Sequence, residues 1–236
     1  MERGLARNLR HAQALILSGN VFSGKTRVIK AGTPIKSDTG LEVRTQDCQW
    51  VSRGGLKLEH ALTCFDLTLE GSVCLDIGAS TGGFTDVLLS QGVARVYAVD
   101  VGYGQLHWKL QQNSRVIMLD RQNARMLTEK IIPEKINTVV CDASFIRLSS
   151  VLSVPLKLTA PGAQLVALIK PQFEVSKSEV GKGGVVRDPK LHTLVCNRVT
   201  EWINNQSVWR VLGVEESPPT GAGKNKEFLI AAKRGN

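Results

Sequence analysis

No apolar run in the chain approaches the roughly 20 residues needed to cross a bilayer. The first apolar stretch, Ala12 to Leu17, is short and has no small-residue cleavage site after it. A membrane-spanning or secreted protein is therefore not expected, and the cytoplasm is the expected location. Cysteine is scarce and unpatterned: Cys48, Cys64, Cys74, Cys141 and Cys196 are odd in number, far apart and form no C-x-x-C pair. This argues against a disulfide framework and against a zinc site, and all five are expected to behave as small buried hydrophobes. The four histidines show no ligand spacing, so no metal is expected. Internal repeats and low-complexity tracts are missing too. Acid is in short supply: 21 Asp and Glu face 30 Lys and Arg, for a net charge of +9. Residues 1–60 alone hold ten basic side chains against five acidic ones. Such an excess favours a polyanionic partner, because neutralising phosphates releases their condensed counterions.

What the chain does contain divides near residue 50. Over residues 1–45, Leu9, Ala12, Leu15 and Ile16 recur at helical spacing within Asn8–Leu17, and Gly19 is a plausible stop. Short β-like pieces follow, separated by Ser23-Gly24, Ala31-Gly32 and Thr39-Gly40. Residues 46–52 read as a linker. Over 53–236 strands and helices alternate. Strands are expected at Val73–Ile77, Arg95–Asp100, Arg115–Leu119, Asn137–Asp142, Gln164–Lys170, Val208–Glu215 and Glu227–Lys233, with helices notably at Thr85–Gln91 and Pro189–Asn204. This alternation predicts an α/β, Rossmann-like sheet of seven mostly parallel strands. Between the last two strands lies only the turn-rich Ser217–Lys226, too short for a crossover helix, so those two should pair antiparallel.

The glycine turn inside Val73–Leu89 (VCLDIGASTGGFTDVLL) carries the most chemistry. An apolar strand ends at Asp76-Ile77, the turn Gly78, Ala79, Ser80, Thr81, Gly82, Gly83 follows, and a helix begins near Phe84. Glycine allows the backbone to approach a ligand closely, and a helix N-terminus offers unpaired N–H groups. Asp100, at the end of the next strand, stands where an acid reaches cofactor ribose hydroxyls. A dinucleotide turn would read G-x-G-x-x-G, and this one departs at the second glycine. Together with Asp76, Asp100 and the antiparallel final pair, it resembles the turn of class I S-adenosylmethionine methyltransferases. Asn123, after the third strand, is where that fold usually reads adenine; a helix cap is the alternative use for an asparagine there. A second glycine motif, Gly19 to Thr26, matches the G-x-x-x-x-G-K-T phosphate loop. It has a helix before it and no helix after it, the reverse of what phosphate binding needs.

Taken in register, VSRGGLKL from Val51, CLDIGASTGGFTDVLL, AVDVGYGQL, CDASF, IKPQFEV and GKGGVV make the chain resemble the TlyA-type ("hemolysin A") rRNA 2′-O-methyltransferases. The resemblance covers nearly the whole chain. It implies an FtsJ-like catalytic domain, S-adenosylmethionine as methyl donor, ribosomal RNA or ribosomal subunits as partner, and the 2′-hydroxyl of a cytidine ribose as target. Residues 1–45 resemble an S4-type α+β RNA-binding module, shortened at its front, since only Met1–Leu5 stand where such modules open with a full helix. The resemblance also implies a Lys-Asp-Lys-Glu tetrad, which falls on Lys57, Asp142, Lys170 and Glu227. Asp142 is placed among the donor-binding residues as well.

The tetrad has a physical rationale of its own. Methylating a ribose hydroxyl requires its proton to leave, and a lysine with an ordinary pKa of about 10.4 is a poor base at neutral pH. A second ammonium beside it and exclusion of water would make it a better one. Lys170 is thus expected to act as base or proton relay, Lys57 to assist it, and Asp142 and Glu227 to orient both, with Asp142 also stabilising the cationic donor. Amino-group methyltransferases carry a [DNS]-P-P-[YFW] motif after the fourth strand, whereas this chain has Asp142-Ala143-Ser144-Phe145. Cytosine-C5 enzymes need a thiol beside a proline, and no Pro-Cys occurs, which leaves ribose as the target. Arg3, Arg7, Arg10, Lys25, Arg27 and Arg53 are expected on RNA, as are Lys177, Lys182 and Arg187 in a loop over Phe173–Asp188. Trp50, Trp108, Trp202 and Trp209 are expected in packing. Two other functions remain open. One is an RNA-binding assembly factor with an inactive methyltransferase domain, which the complete tetrad disfavours. The other is a membrane-lytic protein, for which no spanning or strongly amphipathic basic helix speaks.

Overall fold

The computed structural model describes all residues except 1–2, 7–8, 18–20, 25, 29, 31, 37, 44–47, 219–224 and 236. They fall into two compact units, 1–49 and 50–236. In the first, helix α1 (Leu9–Leu17) precedes a three-stranded antiparallel sheet, β1 (Val21–Ser23), β2 (Thr26–Arg27) and β3 (Glu42–Val43), in the order β2-β1-β3. Gly24, at φ +58°, lies in the tight turn between β1 and β2. A strand therefore follows the phosphate-loop-like sequence where a nucleotide site would need a helix. Its Gly19, Asn20 and Lys25 lie outside the described residues, as does Arg7.

The second unit opens with α2 (Gly54–Cys64), then β4 (Val73–Ile77), α3 (Gly83–Ser90), β5 (Arg95–Val99), the short α4 (Trp108–Gln111) and β6 (Val116–Leu119). It continues with β7 (Ile136–Cys141), α5 (Leu148–Leu152), β8 (Thr159–Ile169), α6 (Pro171–Glu174), α7 (Pro189–Asn204), β9 (Trp209–Glu216) and β10 (Phe228–Arg234). The sheet order is β6-β5-β4-β7-β8-β10-β9. Strands β4 to β8 are parallel, and β10 runs antiparallel to both of its neighbours. The expected antiparallel final pair is present at one edge of the sheet, with the last strand, β10, between β8 and the edge strand β9. Residues 50–52, expected in the linker, pack within this unit: Val51 N donates to Asp86 Oδ2 at 2.9 Å.

Period-two alternation in the central strands splits the core between two faces. Leu75, Ile77, Val139, Cys141, Leu165 and Ala167 join Val195, Val199 and Ile203 of α7 on one side. Cys74, Val96, Val140 and Val166 join Leu58 and Ala61 of α2 and Val87 and Leu88 of α3 on the other. Cys74 and Cys141 are buried hydrophobes as expected, and burial pushes each thiol up to about 12. Cys64, however, is exposed. Trp209 is fully buried, whereas Trp108 is 54% exposed and does not fill the packing role expected of it.

Strand order reverses across β4 and β7, so the loops leaving their C-terminal ends diverge and leave a crevice between them, the usual ligand position in open α/β sheets. Helix α2 was not evident in the sequence because it begins with two poor helix formers. Gly55 has no room for a side chain: a Cβ there would lie 2.6 Å from the Trp50 ring. Gly83 would likewise meet Ser52 Oγ at 2.2 Å and Gly55 N at 2.9 Å. These glycines bring the N-termini of α2 and α3 together at the crevice.

Candidate active site

Two adjoining cavities of about 290 and 440 Å³ occupy the crevice and share Gly78, Ser80, Asp142 and Ser144. The smaller is walled by the N-termini of α2 and α3 and by the glycine turn, and it contains Arg53, Lys57, Asp142 and Lys170. The larger runs along the ends of β4, β5 and β7 and includes Asp100, Asn123 and the apolar Val101, Ala124, Ile146 and Val151.

The four tetrad residues converge from four separate elements. Lys57 comes from α2, Asp142 from the exit of β7, Lys170 from the exit of β8, and Glu227 from the residue before β10. Lys57 Nζ lies 2.6 Å from Glu227 Oε2 and 3.9 Å from Asp142 Oδ2. Lys170 Nζ lies 2.6 Å from Asp142 Oδ1 and donates to Asp142 O at 3.0 Å and Ser144 Oγ at 2.9 Å. Asp142 thus stands between two ammonium groups whose residues are each only 7% exposed. Buried charges persist when paired and hydrogen-bonded, and this chain of alternating charge meets that condition. Ser144 was missed as a site residue; in the CDASF segment only Asp142 was given a role.

The glycine turn is shaped for close approach. Gly78, at φ +79°, would place a Cβ 3.0 Å from Ala143 Cα, so only glycine lets the β4 and β7 exits touch here. Ser80 also adopts positive φ, and its N–H donates to Asp100 Oδ2 at 2.8 Å while Gly102 N donates to Oδ1 at 2.7 Å. Ala79, Ser80, Thr81, Gly83 and Phe84 line the smaller cavity. Asn123 serves as a cap, its Oδ1 accepting from Arg125 N at 3.0 Å at the start of a 3-10 turn, and the residue also lines the larger cavity.

Asp76 and Gly82, expected to touch the donor, line neither cavity. Gly82 faces Leu106 and Leu110 and starts α3 from φ +95°. Asp76 is completely buried behind the turn and accepts from Thr85 Oγ1 at 2.6 Å. Burial pushes its carboxyl up from the ordinary 3.8 to about 7. Because the folded value is raised, this group's contribution to stability is full below about pH 4 and is lost as pH rises towards 7. Asp76→Asn, which can still accept from Thr85, should therefore gain stability over the parent chain, by roughly 2–4 kcal/mol at pH 8. Urea unfolding near pH 5 and pH 8 reads this difference; an advantage that fails to grow with pH refutes the buried-carboxylate account. Donor affinity should change little.

Of the residues expected on RNA, Arg53 lines the smaller cavity and Lys177, Lys182 and Arg187 are exposed on the loop after α6. That loop is ordered by a capping box at Ser176–Glu179 and by Asn225, which accepts from Val186 N and donates to Gly184 O. Arg3 donates to the Thr39 carbonyl, and the Arg27 guanidinium sits 5.4 Å from the Phe22 ring centre. The Arg10 side chain, with Arg7 and Lys25, lies outside the described residues. Phe145, which sequence reasoning passed over, is 89% exposed beside the tetrad and packs on Phe173 with ring centres 4.9 Å apart. Among the described residues no group of three or more His, Cys, Asp or Glu could hold a metal ion, and no helix is long and apolar enough to cross a membrane.

This strand order, with a glycine turn at the reversal point and an acid ending the second parallel strand, defines a Rossmann-like methyltransferase domain. A family model described as FtsJ-like methyltransferase matches residues 50–234, and the chain belongs to that family. It is 44% identical over 231 residues to the 16S/23S rRNA (cytidine-2'-O)-methyltransferase TlyA of Mycobacterium tuberculosis, covering 98% of this chain and 86% of that one. It is 38% identical over 219 residues to Hemolysin A of Brachyspira hyodysenteriae, with 92% and 90% covered. A solved structure of a hemolysin-labelled protein from Streptococcus thermophilus superposes with a TM-score of 0.78 at 38% identity, covering 100% and 86% of the two chains.

Proposed function

We propose that this protein transfers a methyl group from S-adenosylmethionine to a ribose 2′-hydroxyl of ribosomal RNA, with cytidine as the target. The observation that carries this reading is the Lys57–Glu227, Lys57–Asp142 and Lys170–Asp142 chain at the mouth of the glycine turn. The cavities fit the donor. The larger has the size of a cofactor pocket and apolar walls for a purine. Asp100, though it accepts two backbone N–H groups, keeps lone pairs for ribose hydroxyls. Two helix N-termini face the smaller cavity and suit a carboxylate.

When bound, S-adenosylmethionine supplies an electrophilic methyl carbon on a sulfonium. Lys170 stands as the base or relay: as the free amine, its ammonium proton having first left to solvent, it would take the proton of the ribose 2′-hydroxyl, so that the oxygen could accept the methyl carbon as that carbon's bond to sulfur breaks. Asp142 holds Lys170 in place and sets a negative charge near the cationic donor. Lys57, held by Glu227, positions the nucleotide. Lys177, Lys182, Arg187 and Arg53 would grip phosphates, and Phe145 offers an exposed ring to a base. The N-terminal unit is read as an S4-type RNA-binding module, with Arg3, Arg7, Arg10, Lys25 and Arg27 as its contacts. Ribosomal RNA as substrate supports a cytoplasmic location.

The test is incubation with labelled donor and purified ribosomal subunits, followed by mapping of alkali-resistant phosphodiester linkages. A 2′-O-methyl group blocks hydrolysis at its own linkage, so resistance should coincide with label. Label on a base would overturn the reaction. Tight RNA binding without label would favour the inactive assembly factor.

A further inference from the structure

Glu174 is a buried acid that the proposed chemistry does not use. It ends α6, the short helix that follows Lys170, and is 3% exposed. Burial holds its carboxyl above the ordinary carboxylate value. A polar group so placed needs a partner. Oε1 accepts from Leu148 N at 2.7 Å, and Leu148 is the first residue of α5. The Glu174 backbone carbonyl accepts from Arg198 Nη1 of α7 at 3.3 Å, which anchors α6 from behind. The loop from Asp142 to Leu148 is thus closed at its far end by a side chain four residues beyond Lys170.

Three other contacts cross the same seam. Lys170 Nζ reaches Asp142 O and Ser144 Oγ, and the Phe145 ring packs on Phe173. Between them Phe145 adopts φ +65°, a left-handed conformation that a bulky side chain rarely takes unless its surroundings impose it. Asp142 and Ser144 therefore owe their position to a loop that is tied down at both ends. The end remote from the chemistry is tied by Glu174 alone among the hydrogen-bonding side chains of α6.

We propose that Glu174 is a positioning residue: by accepting the Leu148 N–H it locks the 142–148 loop in the form that keeps Asp142 and Ser144 against Lys170. The inference rests on the methyl-transfer reading. Glu174 acts through the loop and touches neither donor nor RNA.

Full-length Glu174→Ala, Glu174→Gln and Leu148→Pro separate the possibilities in a methylation assay on ribosomal subunits. Turnover is referred to the folded fraction, and donor Kd and RNA KM are measured beside it. Glu174→Ala should lower kcat about 10- to 100-fold, as displacement of reacting groups by an ångström does, with donor Kd and RNA KM nearly unchanged. Glu174→Gln should recover most of kcat, since the amide oxygen still accepts. Leu148→Pro removes the donor N–H from a helix start that tolerates proline, after an Arg147 already extended at ψ 142°, and also takes a buried leucine side chain out of the core; with turnover referred to the folded fraction it should reproduce the kcat loss, and it serves if Glu174→Ala does not fold. Normal kcat in Glu174→Ala or Leu148→Pro overturns the proposal, as does Glu174→Gln as slow as Glu174→Ala. Wild-type turnover is measured first; its absence overturns the reaction as well, so the two failures are told apart.

Discussion

Lys170→Ala should lower kcat by about 10³-fold, within the range lost when a positioned acid or base is removed, while donor Kd and RNA affinity stay close to normal. The side chain makes three contacts, all with Asp142 and Ser144, so its removal leaves the glycine turn and the Asp100 contacts untouched. Lys170→Arg should not rescue. The guanidinium keeps the charge but does not surrender a proton in proteins. Stopped turnover with intact binding, measured by label incorporation and by donor titration, is the signature of a group needed for the chemical step. Retention of methylation in Lys170→Ala would remove the base from the mechanism.

Asp142→Ala should be the other severe substitution, and it should harm stability and turnover together. Its carboxylate lies 2.6 Å from Lys170 Nζ and 3.9 Å from Lys57 Nζ. Both lysines are almost fully buried. Lys57 keeps Glu227 at 2.6 Å, but Lys170 is left with one carbonyl and one hydroxyl. Removing one partner of a buried ion pair costs about 3–5 kcal/mol, and Asp142 is about one-fifth exposed, so a loss near 3 kcal/mol is expected. Asp142→Asn preserves shape and should recover part of the stability without recovering turnover, because the charge facing the donor is still missing. Urea unfolding and kcat measured on the same preparations test this. Equal stability of Asp142→Ala and the parent chain would show that the two lysines do not depend on it.

Much of the α/β domain could be read from local pattern. Val73–Ile77 and Pro189–Asn204 carry their own signals, an apolar run before a glycine turn in one case and an Asp188 cap with Pro189 at the start in the other. The tetrad was legible only as four residue types beside recognisable motifs; nothing local brings Lys57 to Glu227, 170 residues away. Helix α2 was hidden because Gly54 and Gly55 lower helix propensity, and the packing of Trp50 and Ser52 that requires small residues there is tertiary. Asp76 was misplaced for a related reason. Alternation cannot say whether an acid at a strand end points into the cleft or beneath it, and here Thr85 holds it beneath. Ser144, Phe145 and Glu174 lie in the CDASF and IKPQFEV segments, but no local pattern gives them a role apart from the loop geometry that uses them.

By itself the chain determined the alternation of strands and helices, the glycine turn, and a surplus of positive charge, since each depends on neighbours a few residues away. Tertiary structure decided where the last strand inserts, how closely two glycine-led helix ends approach, and which carboxylates stand beside which lysines. Those outcomes follow from hydrogen-bond pairing and steric fit between segments distant in sequence, and no local pattern encodes either.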